Sequence, residues 1–438
     1  MPSLSLNLRR RRPSNDVVGL DIQPGFVAAV KARVNGSILA ERAATQPLDA
    51  DTVREGEVVD AEALAEALRE LFAGGRLGKH VRVGIANQRT VMRTLELPPV
   101  TDRKELAAAV RFQAQDQVPM PLSNAVLDFH PLGIVDTPAG ARQRVVLVAA
   151  QRDMVERLLG AVRAAGLTPE GVDLSAFALI RSLHDPSEGS EDRVLYLNVD
   201  GLTNLAIAEG TTCRFTRVIG GGVEAMASDL ATRREIPLAD ARELLATVDL
   251  SGPAFPGSSV GDVAAAAAPA QSQAPVGEDD GPQPDPTAAV EGDASDDAAL
   301  GEQARLSREE HEAQEVSMGY AQAIAPAQGA APPKASVEEP ADAGDIRAVL
   351  ESGVRDISGE IRNSLDFHRT QEQGGQVSHV SLSGAALDLP GFADALQAAL
   401  GMDIRREGIG LVDDSMQGKL STHRLAVAAG LATVKAPQ

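Results

Sequence analysis

Short apolar runs that end on carboxylates and turns set the rhythm of this chain. Val17-Val18-Gly19-Leu20-Asp21-Ile22 reads as a buried strand. A Gln23-Pro24-Gly25 turn follows, then a strand from Phe26 to Val34, an Asn35-Gly36 turn, a strand from Ser37, and a helix. Asn-Gly between apolar runs predicts a tight hairpin with positive φ at both turn residues. The same order returns at Arg193 to Val199. That strand turns at Asp200-Gly201, runs back from Thr203 to Ala208, turns at Glu209-Gly210 and leaves through Phe215 to Ile219. Gly220-Gly221-Gly222 then opens a helix. Two strand–turn–strand–turn–strand–helix units predict two similar lobes, with each first turn pointing into a shared cleft.

Helical spacing organises the stretches between. Asp60 is placed to cap a helix that carries Leu64, Leu68, Leu71 and Phe72 on one face. Val81 to Ala86 reads as a buried strand. Residues from about 95 to about 168 read as a compact insertion into the first lobe. There Asp102 and Glu105 open a helix that Pro119 and Pro121 end, and 125–135 and 143–150 read as strands. Asp153 is placed to cap a helix bearing Val155, Leu158, Leu159 and Val162, which Gly166 closes. A second lobe runs from about 193 to 250 and resumes at Ile346. There Val349, Leu350, Val354, Ile357, Ile361 and Leu365 mark a long amphipathic helix. Val377 to Leu382 is a strand, and Phe392, Leu396 and Leu400 mark another helix. A last helix, 423–434, is rich in small residues suited to close packing on a sheet.

Composition changes the picture in one place. The formal net charge is −21 over 438 residues. Residues 251–345 hold about 18 acids against about 3 bases, so the acidity belongs to this stretch and not to a working face. It is rich in Ala, Pro, Gly, Ser, Asp and Glu and has few large apolar side chains. Such a segment reads as a disordered acidic linker, with a helical stretch near 302–316, because it buries too little to offset its chain entropy. The folded part carries no basic stripe, so nucleic acid is not an expected partner. Residues 1–14 read as a basic disordered tail. Arg9 to Arg12 are either a solvated run or a weak electrostatic contact with anionic lipid. No run of 18 apolar residues is present, which argues against a membrane span, and no apolar core with a cleavage site follows Met1. One cysteine, Cys213, excludes an internal disulfide and reads as a packed strand residue. A cytoplasmic protein is the expected class.

Several ordered stretches together resemble a known family. They are Leu97-Pro98-Pro99-Val100 with Val110-Arg111-Phe112-Gln113-Ala114, Val118-Pro119-Met120-Pro121 with Val126-Leu127-Asp128-Phe129, and Val145 to Ala150 with Ala165-Gly166-Leu167 and Val172-Asp173. Thr203-Asn204-Leu205, Phe215-Thr216-Arg217 with the three glycines, and Glu360 to Phe367 continue the series. In this order they resemble the PilM-type assembly proteins of type IV pili, relatives of the division protein FtsA in the actin-like ATPase superfamily. The resemblance covers about 16–250 and 346–434. It implies an α/β, actin-like two-lobed fold of duplicated RNase H-like domains. The first lobe spans 15–192 with its small inserted subdomain at about 95–168. The second lobe spans 193–250 and 346–438, with the final helix either remaining there or returning to the first lobe. Between the two parts lies the 251–345 linker.

The resemblance also implies binding of ATP with Mg²⁺. It further implies docking of the N-terminal cytoplasmic peptide of PilN, a single-pass membrane protein, in a groove beside the inserted subdomain. The chain would then sit among other pilus platform proteins at the inner face of the cytoplasmic membrane. Groove candidates are Val126 to Phe129, Val145 to Val148, Val110, Phe112 and Val118. In the nucleotide site the family pattern maps phosphate contacts to the first hairpin (Asp21, Gln23, Gly25) and the second (Asp200, Gly201, Thr203). Gly220, Gly221, Gly222, Ser383, Gly384 and Ala385 take the nucleotide approach and adenosine loop, and Glu243 the ribose. Asp21 and Asp200 face the metal. The chain departs from the pattern at Pro24, which deletes a backbone donor, at Ala28 where a lysine is common, and in the shortened Asn198-Val199-Asp200-Gly201. No residue stands out as a water-activating base, so the expectation is an assembly scaffold with at most weak ATPase activity. The alternatives are an actin-like ATPase or kinase enzyme, disfavoured by the altered first loop, and an FtsA-like filament-forming protein. The latter's amphipathic membrane helix is not recognisable ahead of Ala436-Pro437-Gln438.

Overall fold

A computed structural model describes residues 17–138, 140–187, 189, 192–251, 343–371, 375–412 and 420–433. The basic tail and nearly all of the acidic linker, with its expected helical stretch, lie outside the described residues. Two sheets share a five-strand topology, to which the first adds Gly410–Leu411 parallel to its third strand. In the first, β1 (Val18–Gln23) pairs antiparallel with β2 (Phe26–Asn35), which pairs antiparallel with β3 (Ser37–Pro47). On the other side, β1 runs parallel to β6 (His80–Ile85), and β6 runs parallel to β10 (Thr168–Leu174). In the second sheet, β11 (Arg193–Val199), β12 (Thr203–Glu209) and β13 (Thr212–Ile219) form the antiparallel meander. Then β14 (Val377–Ser383) and β15 (Ile404–Arg406) follow in parallel beside β11. Each is a three-strand meander extended by parallel strands on the side of its first strand. That is the duplicated RNase H-like arrangement of an actin-like fold.

Both sheets are covered on two faces, which explains runs rather than alternation in the central strands. Val18, Leu20, Leu195 and Leu197 are buried, as are Leu205 and Ile207. Asp60 caps α1 (Ala61–Phe72) by accepting from the N–H groups of Glu62 and Ala63. α1 packs Leu64 and Leu68 with Val155 and Val162 of α3 (Arg152–Ala164) in one core. Between the sheets lie α4 (Ser175–Leu183) and α9 (Ala426–Ala432), joining side chains of both sheets in a second core that includes Ala28, Val30, Tyr196 and Ala206. The small-residue helix therefore packs on the first sheet. A Cβ on Gly19 of β1 would stand 1.8 Å from the carbonyl oxygen of Ala428, so backbone lies on backbone. The second sheet's outer face is covered by α5 (Val223–Arg234), α6 (Leu238–Leu245), the long α7 (Ala343–Gln371) and α8 (Phe392–Leu400).

The inserted unit is a three-stranded antiparallel sheet, β7 (Val91–Leu97), β9 (Gly140–Gln151) and β8 (Ala125–Thr137), with β9 central. α2 (Arg103–Gln117), capped by Asp102, packs on it through Leu106, Val110 and Ala114. Its limits differ from the expected 95–168. β7 starts earlier, and α3 and β10 belong to the first lobe, because the α3 stripe buries against α1 and β10 extends the first sheet. Two local expectations are also corrected. Asp153 lies inside the first turn of α3 and caps nothing; Gln151 precedes that helix without a side-chain cap bond. In the β2–β3 hairpin Asn35 pairs with Ser37, and only Gly36 has positive φ, at 74°, so the turn is tighter than the two-residue type expected. Gly166 does close α3: its N–H donates to the Arg163 carbonyl and that of Leu167 to the Val162 carbonyl. Among the described residues no helix is long and apolar enough to cross a membrane.

Candidate functional site: the paired hairpin turns

The duplicated topology sends the first turn of each lobe to the same place. Asp21 sits two residues before the end of β1, opposite Ala28. Asp200 follows β11 directly, and its N–H donates to the Leu202 carbonyl (3.0 Å), which forms the turn. Both aspartates are 1% exposed. Each is held by an amide side chain two positions away. Gln23 Nε2 donates to Asp21 Oδ1 (3.1 Å), and Asn198 Nδ2 donates to Asp200 Oδ2 (2.7 Å). Burial, and then the charge of Asp200, push the Asp21 carboxyl up to about 7. Burial also raises Asp200, partly offset by its bonds from Asn198 and from the N–H of Ala385.

Asp200 organises the second lobe's side of the cleft. Its Oδ1 accepts from Ala385 N–H (2.6 Å) and its carbonyl accepts from Val223 N–H (2.7 Å) at the start of α5. The close approach explains Gly222, where a Cβ would stand 2.4 Å from the Asp200 carbonyl oxygen. Ser383 Oγ (2.6 Å) and Gly384 N–H (3.1 Å) both donate to the His423 carbonyl, which fixes the loop carrying Ala385. Thr203 is fully buried at the base of the turn. Gly220 faces the side chain of Gln88, and around Gly221 there is open space. Glu243 is exposed on α6, and no bond ties it to the aspartates.

The two turns touch. A Cβ on Gly201 would stand 2.2 Å from the Pro24 carbonyl oxygen, so only glycine fits there. Beside this contact the other residues of the cleft show where sequence reasoning fell short. Glu224, in the first turn of α5, and Arg242, the neighbour of Glu243 on α6, form an ion pair directly against Gly25. Neither has a local sequence signal, because the contact joins three distant segments.

Several oxygens here are buried without a hydrogen-bond partner: Asp21 Oδ2, Gln23 Oε1, Asn198 Oδ1 and Thr203 Oγ1. Hard oxygen donors of this kind suit Mg²⁺, which binds through one or two carboxylates and keeps several waters. The donor set therefore fits a magnesium ion. Of the glycines that phosphate could approach, Gly201 and Gly222 are packed against the Pro24 and Asp200 carbonyls and Gly25 against Glu224, and open space lies at Gly221. Pro24 offers no N–H, and Ala385 and Val223 already give theirs to Asp200.

The inserted sheet presents the other candidate surface. Val110, Val118, Val145, Val146 and Leu147 are buried, and these groove candidates fill the subdomain or its base. Val126, Leu127, Phe129 and Val148 are half-buried. Phe112 is 71% exposed, out on the far side of α2. Among the described residues β7 and β8 each pair only with β9, so both have an outer edge.

The fold has a counterpart among solved structures. A solved PilM–PilN type IV pilus biogenesis complex matches 95% of this chain and 97% of its own, with 21% identity and a TM-score of 0.64. The ethanolamine utilization protein EutJ from Carboxydothermus hydrogenoformans (13% identity, 95% of this chain and 88% of that one) and MreB5 of Spiroplasma citri bound to ADP (10%, 94% of each) follow, both with TM-scores of 0.44. The model of the type IV pilus assembly protein PilM matches residues 19–246. That is just over half of the chain, from β1 through the inserted sheet and both hairpin turns to the end of α6. The chain belongs to the PilM family of type IV pilus assembly proteins.

Proposed function

We propose that this protein is an actin-like scaffold of the type IV pilus inner-membrane platform. It docks the N-terminal cytoplasmic peptide of a PilN-like membrane protein beside the inserted sheet, and it binds ATP with Mg²⁺ between the paired turns. It stays on the cytoplasmic face, held at the membrane by its partner. The observation that carries this reading is the family match running through the inserted sheet and both turns of the cleft.

Asp21 and Asp200 are the residues to hold the metal, with Gln23 and Asn198 orienting their carboxylates. The phosphates enter at the Gly25 turn and beside Gly221, where there is open space, and the Ser383–Ala385 loop faces the adenosine. A bound Mg²⁺ supplies positive charge that keeps Asp21 ionised and neutralises phosphate. Among the described residues no side chain at the paired turns is set to activate a water, and ATP acts as a ligand that favours one lobe arrangement. The peptide meets a free strand edge and half-buried apolar side chains, the surface that strand addition or groove capture uses. The test is calorimetric titration with a peptide copying the partner's cytoplasmic N-terminus, with and without ATP and Mg²⁺. Micromolar binding supports the scaffold reading, and no binding in either condition contradicts it.

A further inference from the structure

Glu224 and Arg242 form a closed ring with the first hairpin. Glu224 stands in the first turn of α5 and Arg242 on α6, both in the second lobe. A Cβ on Gly25 would lie 2.6 Å from Glu224 Oε2 and 3.2 Å from Arg242 Nη2. Arg242 Nε donates to Glu224 Oε2 (2.9 Å), and Nη2 to Glu224 Oε1 and to the Leu48 carbonyl (3.5 Å). Leu48 N–H in turn donates to the Gly25 carbonyl (2.9 Å). The pair therefore reaches across the cleft to the first lobe. Its side chains are 18% and 28% exposed, enough for an incoming anion to reach them.

We propose that Arg242 is a phosphate-binding residue held in reserve, and that Glu224 is the internal anion keeping its place. A guanidinium presents the same fork to a carboxylate and to a phosphate, so one bidentate partner can replace the other on Arg242. A phosphate chain entering at the Gly25 turn meets Glu224 first and displaces it, and Arg242 moves to the phosphate. The ring opens in the same step, because the tie from Arg242 to Leu48 runs through the same guanidinium. The other charges around the turn are Asp21 and Asp200 behind it and Arg424, whose guanidinium lies 5.4 Å from the ring centre of Phe26. Asp21 and Asp200 call for a cation there, and Glu224 adds a third acid that phosphate has to overcome.

This inference rests on the nucleotide reading above, and one experiment separates the two. ATP with Mg²⁺, and separately pyrophosphate with Mg²⁺, are titrated into wild type, Glu224→Gln, Arg242→Lys and Arg242→Ala, with melting curves confirming that each variant folds. Glu224→Gln keeps the shape and removes the competing charge, so it binds about tenfold tighter. Arg242→Ala binds at least about tenfold weaker, with Arg242→Lys between. Wild type and Glu224→Gln binding ATP equally overturns the assignment of Glu224 and Arg242 alone. No binding to either protein overturns both that assignment and the nucleotide reading.

Discussion

Replacing Asp21 with Asn separates what this carboxylate does for stability from what it does for a ligand. Asp21 is 1% exposed, and its carboxyl is pushed from 3.8 up to about 7, mainly by burial and then by Asp200. A raised carboxylate holds its proton in the folded state after the unfolded chain has released it. Its contribution to stability is therefore fully present below pH 3.8 and is lost as pH rises through about 7. At roughly 1.4 kcal/mol for each pH unit between the two values, the loss amounts to about 4 kcal/mol. Asn is nearly isosteric and cannot ionise. Asp21→Asn should match wild type near pH 4 and exceed it by up to about 4 kcal/mol at pH 8.5. Urea melts at pH 4.5, 6, 7 and 8.5 read this directly. The same variant should lose Mg²⁺-dependent tightening of ATP binding, because the amide cannot supply a charged ligand. Wild-type and variant stabilities that stay parallel across this range would refute the reasoning, since Asp21 would then be ionised throughout.

Other substitutions probe the fold and the docking surface. Gly19→Ala places a Cβ 1.8 Å from the Ala428 carbonyl oxygen and should push α9 off the sheet, costing about 3 kcal/mol in a thermal melt. Cys213 is buried in β13 and its thiol is pushed up to about 12 by that burial. It should therefore react with iodoacetamide in native protein at least about a hundredfold more slowly than in urea. Phe112→Ala should leave the melting temperature within about 1 °C of wild type, because the side chain is exposed, and should weaken the partner peptide by about fivefold if α2 borders the groove.

The hydrophobic pattern carried the large features. Both hairpin meanders, the amphipathic run from Ile346 to Leu365 and the glycine stop at Gly166 follow from local spacing, and local spacing is what the chain displays in order. Failures came where the outcome depends on distant partners. The end of the insertion is not legible, because nothing within α3 says that its stripe faces Leu64 and Leu68 rather than the inserted sheet. Asp153 has a cap's residue type, but β9 runs directly into α3 and leaves it inside the first turn. The equivalent placing of Asp21 and Asp200 at the first turn of each lobe follows from the repeated hairpin. Glu224 and Arg242 have no such signal, since an ion pair between two helices that meets a turn about 200 residues earlier leaves no periodic trace. The contact between Pro24 and Gly201 was hidden for the same reason, although Pro24 itself marked the first turn as unusual.

The most direct test of the account is calorimetric titration of ATP with Mg²⁺ into the purified protein, with phosphate release followed in the same samples. A cleft of this kind in a scaffold predicts binding in the micromolar range with little turnover. Rapid phosphate release would contradict it and point to an enzyme, and the absence of binding would mean that the paired turns no longer serve a nucleotide.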